Sequence, residues 1–232
     1  MKRFYKEVAT VPAEAGRWQI ELDGRPVRTP QRRLLTLPTE GLAALVAEEW
    51  AAQGEEIKPR EMPLTTLATT VHDLMPQRRE DAIAEIEGYA ATDLLCYRAD
   101  GPPDLVQRQH ASWQPWLDWA EQQFDARLAV ATAVQPLEQP DAALRALAAA
   151  VRASDDWRLV GLHAVTTLTG SIVLGLALAR GAVDAERALD VALLDELFEI
   201  ERWGLDEEQR IRHERLLRDL VAAERFLRLL PV

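Results

Sequence analysis

Apolar and polar residues change their rhythm once along this chain, near Pro38. Before it the period is two. Trp18, Ile20 and Leu22 alternate with Gln19 and Glu21, the pattern of a half-buried strand. Asp23-Gly24 supplies a two-residue turn tolerant of positive φ, and Val27 and Thr29 continue beyond it. Pro26 and Pro30 suit edge positions, where no ladder donor is needed. Phe4 to Val8 and Leu34 to Leu37 are further short strand candidates.

After Pro38 the period is 3.6. Thr39 is placed as an N-cap, and Leu42, Leu45, Val46 and Trp50 form the buried stripe of the helix it opens. Trp50 is expected to be largely buried. Leu64, Leu67, Val71 and Leu74 repeat the stripe, with Pro76 as its stop. Ile83, Ile86 and Tyr89 mark a further helix. Asp104 opens another carrying Trp113, Trp116 and Trp119, in which Pro115 predicts a kink. Leu128 to Val134 alternates weakly and reads as extended, and Gln135-Pro136 to Gln139-Pro140 is the best linker. Asp141, Asp155 and Asp184 each precede a helical run. The last helix runs from Asp206 to Leu230 on Ile211, Leu216, Leu217 and Leu220. The expected fold is therefore α+β. A small antiparallel β-rich domain, residues 1–37, precedes a larger, mainly α-helical domain, residues 38–232, with a sub-boundary near 135–140.

Two segments complicate this pattern. Leu159 to Ala179 runs 21 residues without a formal charge, long enough to span a bilayer. It also carries His163, Thr166, Thr167, Thr169, Ser171 and three glycines, so one buried central helix is predicted rather than a membrane insertion. Ser171, Gly175 and Ala179 lie four apart, a small-residue line that admits a close neighbour. Asp184 to Glu208 is the second segment. It holds ten Asp/Glu against two Arg, while Leu189, Leu193, Leu197 and Ile200 recur at helical spacing. One helix with a buried stripe and a very acidic face is expected, serving as solvated surface or as a docking face for something basic.

Charge narrows the function classes. The net charge of -11 gives the wrong field for neutralising phosphates, which disfavours nucleic acid and anionic membranes. Residues 1–37 nevertheless hold eight Lys/Arg against four Asp/Glu, so the chain is polarised. The single cysteine, Cys96, excludes an internal disulfide and reads as a buried inert thiol. The basic opening Met1 to Lys6 lacks an apolar run, so neither a secretory signal nor a transit peptide is expected, and the cytoplasm is the predicted location.

Catalytic and metal motifs are missing. None of His72, His110, His163 and His213 stands in a Glu-x-x-His or His-Glu-x-x-His, and no Cys-x-x-Cys exists, so no metal site and no cofactor are predicted. Thr169-Gly170-Ser171 is not a nucleophile elbow, and no glycine-rich phosphate loop is present. Asp195 and Glu196 are neighbours on a helix and point about 100° apart, so they form no shared-proton pair by themselves.

Eight separated stretches together resemble one family, the assembly chaperones of the F-type ATP synthase that bind the free alpha subunit. They are Arg3-Phe4-Tyr5-Lys6, Leu22 to Pro30, Glu48-Glu49-Trp50-Ala51-Ala52-Gln53, Met62-Pro63-Leu64-Thr65, Thr92 to Tyr97, Thr169-Gly170-Ser171, Leu194-Asp195-Glu196 and Arg202-Trp203-Gly204. The resemblance covers residues 3 to about 204 and implies a small β-rich domain on a helical one. It implies a non-enzymatic bacterial chaperone that holds the alpha subunit until beta arrives; separately, a monomer is expected. It makes Asp195, Glu196 and Trp203 the partner-binding residues and Trp50, Gly24, Gly170 and Gly204 structural ones. The family often has Gln where Glu199 stands, and the tail beyond Glu208 matches nothing diagnostic. The rival expectation is a carboxylate-based, metal-assisted hydrolase using the acidic helix 184–208.

Overall fold

The computed structural model describes residues 1–132 and 137–231. A small antiparallel sheet comes first. Strand β2 (Trp18–Leu22) is central, with β1 (Val8–Pro12) on one side and the short β3 (Arg25–Pro26) and β4 (Thr36–Leu37) on the other. Val8 lies opposite Leu22 and Pro12 opposite Trp18, while Trp18 also faces Leu37. Asp23 (φ 49°) and Gly24 (φ 72°) make the tight turn between β2 and β3, a geometry that Asp and Gly tolerate best. The first strand begins at Val8 rather than at Phe4. Phe4 is exposed and Tyr5 is buried, so the aromatic pair anchors the chain ahead of the sheet instead of joining it.

Ten helices follow among the described residues. They are α1 (Glu40–Ala51), α2 (Pro63–Asp73), α3 (Met75–Ala91), α4 (Pro103–Phe124), α5 (Asp141–Arg152), α6 (Asp156–Thr169), α7 (Ile172–Ala179), α8 (Ala185–Ala192), α9 (Leu194–Trp203) and α10 (Glu207–Arg228). The α+β expectation holds, with the sheet packed on α1. Thr39 caps α1, Asp155 caps α6 and Asp184 caps α8, each side chain accepting from a backbone N–H three residues on. Asp206 opens α10 with a reciprocal capping box to Gln209. Pro76 does not stop a helix but starts α3, where its missing N–H costs nothing. α4 continues through Pro115. Among the described residues of the predicted extended stretch, 128–132, the strand is the two-residue β6 (Ala131–Thr132), paired in parallel with β5 (Tyr97–Arg98). Ala133, Val134 and the predicted linker residues Gln135 and Pro136 lie outside the described residues.

The uncharged run 159–179 is not one helix. Gly170 takes a left-handed conformation (φ 71°), its N–H closes α6 on the Thr166 carbonyl, and Ser171 caps α7 by accepting from Leu174. The two halves fold back on each other. A side chain at Gly175 would sit 2.3 Å from Thr166 Oγ1, so the small residue there permits the contact between α6 and α7. Both helices lie in the core, which extends to Phe226 and Leu227 of α10 and to Ile20 and Leu37 of the sheet. Among the described residues no helix is long and apolar enough to cross a membrane.

Candidate functional site

The acidic segment also divides. α8 ends at Ala192, Leu193 leaves helical geometry (φ -96°, ψ 13°), and α9 begins at Leu194. The Trp113 indole N–H donates to the Val191 carbonyl at 2.9 Å, satisfying one of the acceptors that a helix end exposes. The predicted stripe is accordingly split between two helices. Leu189 is buried under α8, whereas Leu193, Leu197 and Ile200 are only half-buried.

α9 carries the site residues named from sequence, and the structure does not bring all of them together. Asp195 and Glu196 occupy its first turn, where the helix dipole favours negative charge. Asp195 is exposed, and its Oδ1 accepts from Gln109 Nε2 of α4 at 2.7 Å. Glu196 turns the other way, to α10. One oxygen meets Arg212 at 2.5 Å and the other His213 Nε2 at 2.9 Å. Partial burial opposes ionisation of Glu196, but the hydrogen bonds from Arg212 and His213 outweigh it and hold its pKa below the ordinary value. Two further ion pairs tie α9 to α4. Arg108 spans both oxygens of Glu201 at 2.7 Å, and Arg202 meets Asp104 at 2.7 Å. The hydrogen bond from Arg108 lowers the pKa of Glu201.

Trp203 stands apart from this network. It ends α9 with 85% of its surface exposed, the most exposed large apolar residue among those described. Gly204 follows at φ 88°, its N–H closing the helix on the Ile200 carbonyl at 2.8 Å. Ile200, Trp203 and Leu205 line one shallow hollow with Glu199, Asp206 and Gln209. Glu186, Asp190, Glu199 and Glu208 are exposed nearby along the chain, while Arg108, Arg202, Arg210 and Arg212 are each paired with a carboxylate of the chain itself. The surface around Trp203 is thus apolar at its centre and negative at its margin. Among the described residues no set of three or more His, Cys, Asp or Glu side chains could hold a metal ion.

The other stretches quoted from sequence pair with one another inside the molecule. Arg3 donates to the Gln53 carbonyl at 2.5 Å, and the Tyr5 hydroxyl to the Trp50 carbonyl at 2.7 Å. Asp23 Oδ1 accepts the N–H groups of Lys6 and Glu7 at 3.0 and 2.8 Å. Glu49 accepts from the backbone of Leu64 and Thr65 at 2.7 and 2.8 Å and from the Thr65 hydroxyl at 2.7 Å, capping α2 from another helix. Burial raises its pKa. Asp93, fully buried, accepts from Leu95 N–H at 3.0 Å, the Ser171 hydroxyl at 2.9 Å and Val173 N–H at 3.1 Å. Burial pushes its pKa up to about 6 against those hydrogen bonds. Glu49 carries no local signal, because it caps a helix that starts well beyond its own; Asp93 caps the single turn Leu94–Cys96 locally, but its bonds to Ser171 and Val173 cannot be read from neighbouring sequence. Cys96 is buried and its thiol is pushed up to about 12. Trp50 is half-buried rather than enclosed, although its indole nitrogen is covered and has no partner.

Comparison with known proteins agrees with this architecture along its length. Residues 2–121 match the family model described as ATP12 chaperone protein. The crystal structure of Atp12 from Paracoccus denitrificans is 40% identical and superposes with a TM-score of 0.92, covering 99% of this chain and 98% of that one. The crystal structure of the Atu1473 protein from Agrobacterium tumefaciens is 39% identical with a TM-score of 0.94, covering 98% of this chain and 85% of that one. Protein atp12, mitochondrial, of Schizosaccharomyces pombe is 22% identical over 235 residues, 96% of this chain and 80% of that protein.

Proposed function

Because this chain belongs to the ATP12 chaperone family, we propose that it is a non-enzymatic assembly chaperone that holds the unassembled alpha subunit of an F-type ATP synthase until beta arrives. It acts as a monomer in the cytoplasm. Capture takes place along α9, with Trp203 at its C-terminal end as the apolar anchor and Asp195 and Glu196 in its first turn contributing negative charge. The observation that carries this reading is the exposure of Trp203, in a shallow hollow beside carboxylates. Tryptophan is the side chain most enriched at the centres of protein interfaces. An unassembled subunit exposes apolar surface that a neighbour will later bury, and a holder needs to cover that surface and then let go. A shallow apolar patch with charge steering suits reversible holding better than a deep cleft does. The hydrolase reading has no comparable support. Asp195 turns to α4 and Glu196 to α10, so the two carboxylates do not converge on one reacting position. The test is affinity isolation of the tagged chain from its native cell. Co-purification of the ATP synthase alpha subunit without beta is the expected result, and recovery of no alpha subunit would overturn the proposal.

A further inference from the structure

α9 is attached to the molecule differently from its neighbours. Of its ten residues only Phe198 is buried, at 5% exposure, and that ring lies outside the main apolar core. Two arginines lie over it. The Arg202 guanidinium lies 4.0 Å and that of Arg108 5.2 Å from its ring centre. Leu194 packs against the core at the start of the helix, and beyond it the attachments are charged and polar: Asp195 to Gln109, Glu201 to Arg108 and Arg202 to Asp104 on α4, and Glu196 to Arg212 and His213 on α10. The helix is bounded by the non-helical Leu193 and by Gly204 in an extended conformation at positive φ (φ 88°, ψ 161°). By contrast α7, of eight residues, buries seven of them in the core.

We propose that α9 is an electrostatically clasped arm that opens as a unit about Leu193 and Gly204, and that partner cations open it by taking over Glu196 and Glu201. Opening uncovers Leu194, Leu197 and Phe198, which widens the apolar surface begun by Trp203. Closing re-forms the pairs within the chain and withdraws that surface, which supplies a route to release. The exposed pairs Arg108–Glu201 and Arg202–Asp104 are individually weak and are screened by salt, so they suit exchange for equivalent pairs on a partner, while the half-buried Glu196–His213 pair is screened less. The role of the partner rests on the chaperone reading above; the motion of the arm does not.

Hydrogen exchange on the free chain at low and high KCl tests the arm by itself. Backbone amides of α9 are expected to exchange about tenfold faster at high salt, with those of α6 and α7 unchanged. The double variant Arg108→Gln with Glu201→Gln should show the faster exchange already at low salt. Exchange in α9 that ignores both salt and the double variant would overturn the arm. The partner's role is read from association with isolated alpha subunit, which the single variant Arg108→Gln, with Glu201 freed and kept for the partner, should bind several-fold faster than the wild-type chain. Equal or slower association would overturn the gating. If the wild-type chain binds no alpha subunit, the chaperone reading falls with it, while the exchange result still decides the arm.

Discussion

The junction around Asp93 and the helix α9 are both rich in carboxylates, yet they use them in opposite ways. Asp93 is fully enclosed and spends its acceptor capacity on backbone and hydroxyl donors from segments far apart in sequence. Glu49 does the same at the start of α2. In α9 Glu196 and Glu201 meet arginines near the surface, and the most conspicuous apolar side chain, Trp203, is 85% exposed. The first arrangement fixes a fold, because removing a buried acceptor strands its donors. The second contributes little to stability and leaves surface available. Being part of a quoted sequence motif therefore does not distinguish the two roles; burial and the identity of the partner do.

The largest effect should come from Asp93. Asp93→Ala leaves Leu95, Ser171 and Val173 donors unsatisfied in the core and should lower unfolding free energy by about 3–5 kcal/mol, read by urea denaturation. Its titration has a definite sign. The folded pKa of about 6 lies above the unfolded carboxylate value of about 4, so the folded state holds the proton more tightly. Its contribution is full below the unfolded pKa and is lost as pH rises through the folded one. Stability should therefore carry a falling component between about pH 4 and pH 6 that is absent in Asp93→Asn. A slope equal in the two proteins would show that Asp93 does not titrate in this range.

Glu49→Ala should cost less, about 1–3 kcal/mol, because the site is partly exposed and water can reach some of the released donors at the start of α2. Thermal melting of Glu49→Ala beside Asp93→Ala checks the order. Trp50→Arg falls in the same range of about 1–3 kcal/mol. The half-buried position lets a long cation reach solvent, but the ring's packing against Tyr5 is lost. A loss as large as that of Asp93→Ala would place Trp50 in the rigid core instead. Smaller again should be the pair Asp195→Asn with Glu196→Gln. It keeps the shape of both side chains and weakens clasps, exposed at Asp195 and half-buried at Glu196, worth about 1 kcal/mol in total. Its effect on alpha-subunit binding should shrink as salt is raised.

Much of the fold was legible, and the misses have physical causes. The change of period at Pro38 located the boundary between sheet and helices because alternation and a 3.6-residue stripe follow directly from which faces are buried. The break at Gly170 was written in Thr169-Gly170-Ser171, a glycine that can turn left-handed followed by a capping serine, but a continuous run of uncharged residues masked it. The break at Leu193 carries no Gly or Pro. What supports it is a hydrogen bond from Trp113, 78 residues away, and local sequence cannot supply that. The same holds for Asp93, whose partner Ser171 is equally distant along the chain. Trp203 shows the converse. Its place in a motif marked it, but that it faces solvent rather than core follows only from where α9 ends.

The most direct test of the account measures two quantities on Trp203→Ala, melting temperature and Kd for the isolated alpha subunit. The exposed ring supports no packing, so unfolding free energy should stay within about 0.5 kcal/mol of the wild-type value. A Trp anchor at an interface centre is worth about 2 kcal/mol or more, so Kd should rise about thirtyfold. An unchanged Kd on a variant that melts like the wild-type chain would contradict the assignment of the α9 end as the site of capture.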